Sequence, residues 1–260
     1  MPRFAANLTW LFTECDFLDR FDAAAACGFE AVEVLFPYEH PAEAIAERLK
    51  RNHLAMVLIN APPGDMGVGE RGLAALADRA SDFRDSIATA AHYAETIGAP
   101  RVHVMSGVAK ADDTRAATAY RDNIAFAADF FAPRGIEAMI EPINGRDVPG
   151  YFLRDFNFAA RLIEDLARPN LKLQFDIYHR QVLHGDVTAA LRRLMPLIGH
   201  IQIASVPGRN EPDGEELSYA FVFDEIDRLG YNGFVGCEYR PRGETRAGLG
   251  WFARHRGRAL

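Results

Sequence analysis

Short runs rich in β-branched and aromatic residues recur along the whole chain: "RFAANLTW" (3–10), "AVEVLFP" (31–37), "MVLIN" (56–60), "RVHVMSG" (101–107), "EAMIEPI" (137–143), "LKLQFDIY" (171–178), "HIQIASV" (200–206) and "FVGCEYRP" (234–241). Between them lie segments with helical apolar period, among them "TAYRDNIAFAADFFAPRG" and "SYAFVFDEIDRLG". The second opens on Ser218 as a cap and closes on Gly230. Regular alternation of strand and helix predicts parallel strands joined by right-handed crossovers. Eight such units in 260 residues point to a (β/α)8 barrel, an α/β TIM barrel, rather than an open doubly wound sheet. No G-x-G-x-x-G follows the first strand, which weakens the dinucleotide-fold alternative. The chain therefore reads as one barrel domain over residues 1–260.

Two connections resemble each other, "CGFEAVEVLFP" and "LGYNGFVGCEYRP". Shared loop chemistry explains them, with Gly28 and Gly230 just past helix ends. The longest irregular stretch, "NAPPGDMGVGERG" (60–72), follows the third strand and has the place of a lid over a barrel mouth.

Composition sharpens the class. An apolar share of 49% supports one large core, and the net charge of -7 gives no basic footprint for nucleic acid. Cys15, Cys27 and Cys237 are widely spaced and form no C-x-x-C pair, so they read as packing residues in a reducing compartment. The N-terminus shows no signal-peptide pattern and no segment has the apolar length of a membrane span. The expectation is a soluble, cytoplasmic protein.

In a barrel the C-terminal strand ends converge on one mouth, and there the sequence puts Glu141, Asp176, Gln202 and Glu238. From spacing alone two readings stand: four independently hydrogen-bonded residues, or a divalent cation that relieves the repulsion of three carboxylates. If Gln202 offers its carbonyl, all donors are oxygen, which favours Mg²⁺ or Mn²⁺ over zinc. Asn7 and Asn60 end strands one and three, as mouth-lining or turn residues. Glu33 has two readings, a side chain pointing into the barrel or a hydrogen-bonded interior carboxylate, while His103 and Cys237 read as residues that pack or make ordinary hydrogen bonds.

The segments "MIEPIN", "QFDIYH", "HIQIA" and "GCEYRP" together resemble the hydroxypyruvate isomerase family of xylose-isomerase-like barrels, which includes 2-oxo-tetronate isomerases. The resemblance runs through nearly the whole chain, from "RFAANLTWLF" through "GFEAVEVLFPY" and "GERGLAAL" to "GLGWF". It implies Glu141, Asp176, Gln202 and Glu238 as metal ligands, with Glu141 and Glu238 doubling as proton donor and acceptor. Sugar epimerases of the wider superfamily have His where Gln202 stands, and this departure strengthens magnesium or manganese.

The resemblance also raises His179, three residues after Asp176, from loop histidine to substrate contact. It marks Arg209 as a bidentate anchor for a substrate carboxylate. Arg240 stands where the family has Lys, which leaves its role open. Glu70 and Arg71 in the lid candidate read as a surface ion pair or as substrate contacts, and Asn60 joins the substrate-binding candidates.

The implied reaction interconverts hydroxypyruvate and tartronate semialdehyde through an enediol, for which two carboxylates and a Lewis acid suffice. "QIASVPGRNEPDGEE" and "RPRGETRAGLGWF" resemble the 2-oxo-tetronate branch, whereas "IEPINGRDVPGY" and "FDIYHRQ" resemble the hydroxypyruvate branch. A sugar epimerase, an abasic-site endonuclease and a non-catalytic sugar-acid binder fit less well. The endonuclease needs a richer set of His ligands, and the binder has no use for both glutamates. The partner is a small hydroxy-keto acid, with no nucleic acid and no membrane, and the resemblance is compatible with a homo-oligomer.

Overall fold

A computed structural model describes residues 2–255. Its eight strands are β1 (Arg3–Asn7), β2 (Ala31–Val34), β3 (Ala55–Asn60), β4 (Arg101–His103), β5 (Glu137–Ile140), β6 (Leu171–Asp176), β7 (Ile198–Ile203) and β8 (Phe234–Cys237). They pair in parallel and in chain order, and β8 returns to β1 to close the barrel. The helices are α1 (Asp19–Ala26), α2 (Ala42–Asn52), α3 (Ala80–Ile97), α4 (Thr114–Phe131), α5 (Phe156–Leu166), α6 (Ile177–His184), α7 (Val187–Leu194), α8 (Tyr219–Arg228), α9 (Thr245–Gly248) and α10 (Gly250–His255). Among the described residues no helix is long and apolar enough to cross a membrane.

All eight expected strands are present, but several stop short of the apolar run that announced them. The run 171–178 ends at Asp176, whose Oδ1 accepts from the Tyr178 backbone N–H at 2.7 Å and so starts α6. β5 stops at Ile140, two residues before Pro142, which has no N–H for a ladder. Gly28 and Gly230 follow the ends of α1 and α8 with φ of 89° and 73°, as expected. Ser218 occupies the N-cap of α8, yet its side chain makes no cap hydrogen bond.

The main apolar core lies between the strands and the helical ring, where Phe4 packs edge-on against Phe223 and Trp251, each at 5.1 Å. A smaller cluster of Ala5, Ala31, Val57, Leu58 and Met139 forms separately, with Phe234 packed against it. In the β1–β2 register Ala5 pairs with Ala31 and, two residues on, Asn7 pairs with Glu33. Because side chains alternate along a strand, the face that starts with alanines ends in a buried amide and a buried carboxylate. Cys237 is buried, Cys15 and Cys27 are partly so, and all three are free thiols.

Candidate active site

Asp176 ends β6 and Asn60 ends β3, while Glu141 and Glu238 are the first residues after β5 and β8. With Gln202 in β7, they sit at or near the C-terminal ends of their strands. Glu141, Asp176 and His179, in the first turn of α6, each offer a donor atom, and these atoms all lie within 4.8 Å of one another. His179 Nε2 is 3.6 Å from Asp176 Oδ2 and 3.9 Å from Glu141 Oε1. Both oxygens are buried and have no hydrogen-bond partner. Two such partnerless carboxylate oxygens facing one space suit a divalent cation.

The remaining oxygens are held by amides. Gln174 Nε2 donates to Glu141 Oε2 at 3.0 Å and to Gln202 Oε1 at 2.6 Å. Gln202 Nε2 donates in turn to Glu238 Oε2 at 2.7 Å and to Glu33 Oε1 at 2.8 Å. Asn7 Nδ2 reaches Glu33 Oε1 at 2.9 Å and Glu238 Oε2 at 3.3 Å, and His200 Nε2 lies 2.7 Å from Glu33 Oε2. Glu33 thus points inward and is fully hydrogen-bonded, so both of its readings meet in one residue.

Arg209 brings the charge balance. Its guanidinium donates to Glu238 Oε1 at 2.7 Å and Asp147 Oδ2 at 2.9 Å, and lies 3.7 Å from Asp176 Oδ2. It stacks over Tyr178 at 4.8 Å and Trp10 at 5.4 Å. Even so, burial pushes the Glu238 carboxyl up to about 8, with Arg209 opposing the rise. Burial and the charges of Glu238 and Asp176 hold Glu141 well above the ordinary range, and burial raises Asp176 to about 6. Burial also keeps His103 neutral, down to about 3, with its Nδ1 3.4 Å from Glu141 Oε2.

A sequence model of the xylose isomerase-like TIM barrel family matches residues 21–255. The chain belongs to this family. It is 53% identical over 260 residues to the 2-oxo-tetronate isomerase of Cupriavidus necator, covering 99% of this chain and all of that one. It is 41% identical to the hydroxypyruvate isomerase of Escherichia coli, covering 98% of this chain and all of that one. Among solved structures, one described as an AP endonuclease, family 2, from Brucella melitensis superposes with a TM-score of 0.96. That protein is 46% identical and is covered completely by 99% of this chain.

Within this xylose isomerase-like barrel the outer candidates have local partners. Glu70 pairs with Arg79 rather than with Arg71, and its Oε2 accepts from the Asp65 backbone N–H at 2.6 Å. Arg71 donates to the carbonyls of Met66 and Glu70, at 3.1 and 2.7 Å. The lid candidate is pinned at its far end, where Gly72 bridges to Ser106. Arg240 is exposed and lies over the Trp10 ring at 5.0 Å. The Asn60 carbonyl accepts from Tyr38 Oη at 2.5 Å, while its buried Oδ1 has no partner.

Sequence reading passed over Gln174, Asp147, Asn144 and Trp10. Gln174 carries a legible signal: it stands two residues before Asp176 on β6 and so shares its inward face. Asp147 and Asn144 sit in the loop between β5 and α5, where no periodicity reports orientation.

Proposed function

We propose that this chain is an isomerase that interconverts hydroxypyruvate and tartronate semialdehyde by proton transfer through an enediol. One observation carries the reading: Glu141 and Glu238, both buried, are tied together by the Gln174–Gln202 amide pair, and each keeps its second oxygen off that bridge. In the proposed reaction one glutamate, ionised, takes a proton from the hydroxyl-bearing carbon. The other, protonated, gives one to the former carbonyl carbon. In the enediol between these steps a C=C joins the two carbons, and the hydroxyl proton passes from the first hydroxyl oxygen, which becomes the new carbonyl, to the former carbonyl oxygen, which becomes the new hydroxyl. Acid–base work near neutral pH needs carboxyls held above their ordinary range, and burial supplies that here.

The groups proposed to hold a divalent ion, Mg²⁺ or Mn²⁺, are Glu141, Asp176, Gln202 and Glu238. The open oxygens of Glu141 and Asp176 support this, and Gln202 Oε1 keeps one lone pair beyond its bond from Gln174. Such an ion, when bound, supplies Lewis-acid polarisation of the substrate carbonyl. Arg209 is proposed to meet the substrate carboxylate through its two-pronged guanidinium, with His179 donating to a substrate oxygen. Asn60, with its open Oδ1, and Arg240 remain candidates at the rim of this pocket, and Glu70 and Arg71 at its loop. The free cysteines support a cytoplasmic setting.

A second reading, 2-oxo-tetronate as the substrate, draws support from the higher identity to the Cupriavidus necator enzyme, 53% against 41% for the Escherichia coli one. The two acids share the enediol chemistry and differ by one carbinol. Purified protein assayed with hydroxypyruvate and 2-oxo-tetronate side by side, in added Mg²⁺ or Mn²⁺, decides between them. Turnover of neither, or better turnover of neutral ketoses, overturns the proposal.

A further inference from the structure

The imidazole of His179 is held from both sides, and its two nitrogens meet opposite chemistry. On one side stands Asn144, fully buried in the loop between β5 and α5. Its Oδ1 accepts from the backbone N–H groups of Arg146 and Asp147, at 2.9 and 3.0 Å. That turn fixes the orientation of the side-chain amide, because only the oxygen can accept. The amide nitrogen therefore faces His179 Nδ1, at 2.6 Å, and the Asn144 backbone N–H points to the same ring nitrogen at 3.4 Å. Two donors converge on Nδ1, so Nδ1 carries a lone pair and no hydrogen.

On the other side, Nε2 faces the open oxygens of Asp176 and Glu141, at 3.6 and 3.9 Å. Arg209 Nη2 also approaches Nε2, at 3.5 Å, a far longer contact than its 2.7 Å bond to Glu238 or the 2.6 Å contact at Nδ1. The 2.6 Å contact decides the tautomer. A doubly protonated ring would set an N–H against the Asn144 N–H, and the Nδ1–H tautomer would do the same.

We infer that Asn144 fixes His179 as its Nε2–H tautomer, which makes His179 a hydrogen-bond donor to a substrate oxygen rather than a metal ligand. An Nε2 that bears hydrogen has no lone pair for a cation. The open carboxylate oxygens of Glu141 and Asp176 are left to the ion, and the N–H is aimed into the same space, where a substrate oxygen arrives. Asn144 is the positioning residue. The donor role toward substrate rests on the isomerase reading above, but the tautomer does not.

The test uses ¹⁵N-histidine-labelled full-length protein, with and without added Mg²⁺, and His179→Gln to identify the ring signals among the eight histidines. The expected spectrum shows His179 Nδ1 without a proton and Nε2 with one, and Mg²⁺ leaves the Nε2 proton in place. In Asn144→Asp the near-isosteric carboxylate keeps an acceptor for the turn and turns its second oxygen to the ring, so the ring hydrogen moves to Nδ1 and Nε2 is left bare. Turnover of whichever acid is the substrate should then fall in kcat/KM by about tenfold or more, roughly the loss of one well-made hydrogen bond.

A protonated Nδ1 in the wild type, loss of the Nε2 proton on adding Mg²⁺, or an Asp variant with Nδ1 still bare overturns the assignment. If the Asp variant does not fold, the two wild-type spectra decide alone. Wild-type protein with the stated tautomer that turns over neither acid sinks the isomerase reading and supports the tautomer.

Discussion

Gln174 donates its side-chain amide to Glu141 Oε2 at 3.0 Å while the same nitrogen holds Gln202 Oε1 at 2.6 Å. The orientation of both amides is dictated by their neighbours: Gln202 nitrogen sits between the carboxylates of Glu33 and Glu238, so its oxygen must face Gln174. One strand pair, β6 and β7, thereby fixes a lone pair on each of the two glutamates that directly follow β5 and β8. Replacing Gln174 with Met keeps length and volume but removes the donor. The expected result is a fall in kcat of about tenfold or more with KM within about threefold, since the glutamates lose alignment while substrate contacts remain. Thermal unfolding should show a loss of about 1–3 kcal/mol for the buried acceptor left unmade. Wild-type kcat in a folded, metal-loaded variant counts against the bridge.

The barrel was legible because strand and helix periodicities alternate cleanly and the strand-end residues follow from topology. Glu141, Asp176, Gln202 and Glu238 could be placed at one mouth from position alone. What stayed hidden was the pairing among them. Gln174 and His200 lie two residues before Asp176 and Gln202, so alternation marks them as inward-facing, yet neither looks chemical in sequence. Nothing in the string says that Arg209 reaches Glu238, 29 positions away, or that Glu70 turns to Arg79. Such contacts depend on loop conformation, to which hydrophobic pattern is blind. The strand ends were overrun for a local reason: Asp176 caps a helix where the apolar run continues.

The raised carboxyls give the metal-free protein a defined stability profile. Glu238 at about 8 and Asp176 at about 6 both lie above their ordinary values of 4.5 and 3.8. The folded state therefore holds these protons more tightly than the unfolded chain. Their contribution is fully present below about pH 4 and is lost as pH rises through 6 and then 8. Unfolding temperature should fall between pH 5 and pH 8.5, by roughly 2–4 °C for each kcal/mol lost in a chain of this size. Adding Mg²⁺ should flatten the decline, because a bound cation favours ionised carboxylates. A metal-free protein whose Tm is constant or rises across this range contradicts the assignment.

Gly236 on β8 lies beneath the carboxylate of Glu33, and a Cβ there would stand 2.3 Å from Oε2 and 2.5 Å from Oε1. Glu33 cannot swing away freely, since His200, Asn7 and Gln202 hold it. Gly236→Ala is expected to cost about 1–3 kcal/mol in denaturant unfolding, the range for overpacking a tight interior. Activity should drop alongside, because Gln202 shares its nitrogen between Glu33 and Glu238. Unchanged stability and turnover would mean that Glu33 relaxes without cost and that the polar layer is not as rigid as its hydrogen bonds imply.

Glu141 and Glu238 differ in how their second oxygens are held: Glu141 Oε1 is open, whereas Glu238 Oε1 is bound by Arg209 at 2.7 Å. Glu141→Gln and Glu238→Gln each keep an oxygen for a ligand or hydrogen bond but lose the group that accepts or gives a proton. Each should lower kcat on the order of a hundredfold or more, with metal content measured alongside. In deuterated water the wild-type product should carry deuterium at the carbon that receives the proton, because two separate glutamates cannot return the proton that one of them removed. A lone glutamate working on one face would instead carry its proton across with little exchange. Product without deuterium, made by an enzyme whose two Gln variants differ widely in kcat, would assign all the proton transfer to the more damaged glutamate. Equal damage with full exchange is the outcome expected of a two-carboxylate mechanism.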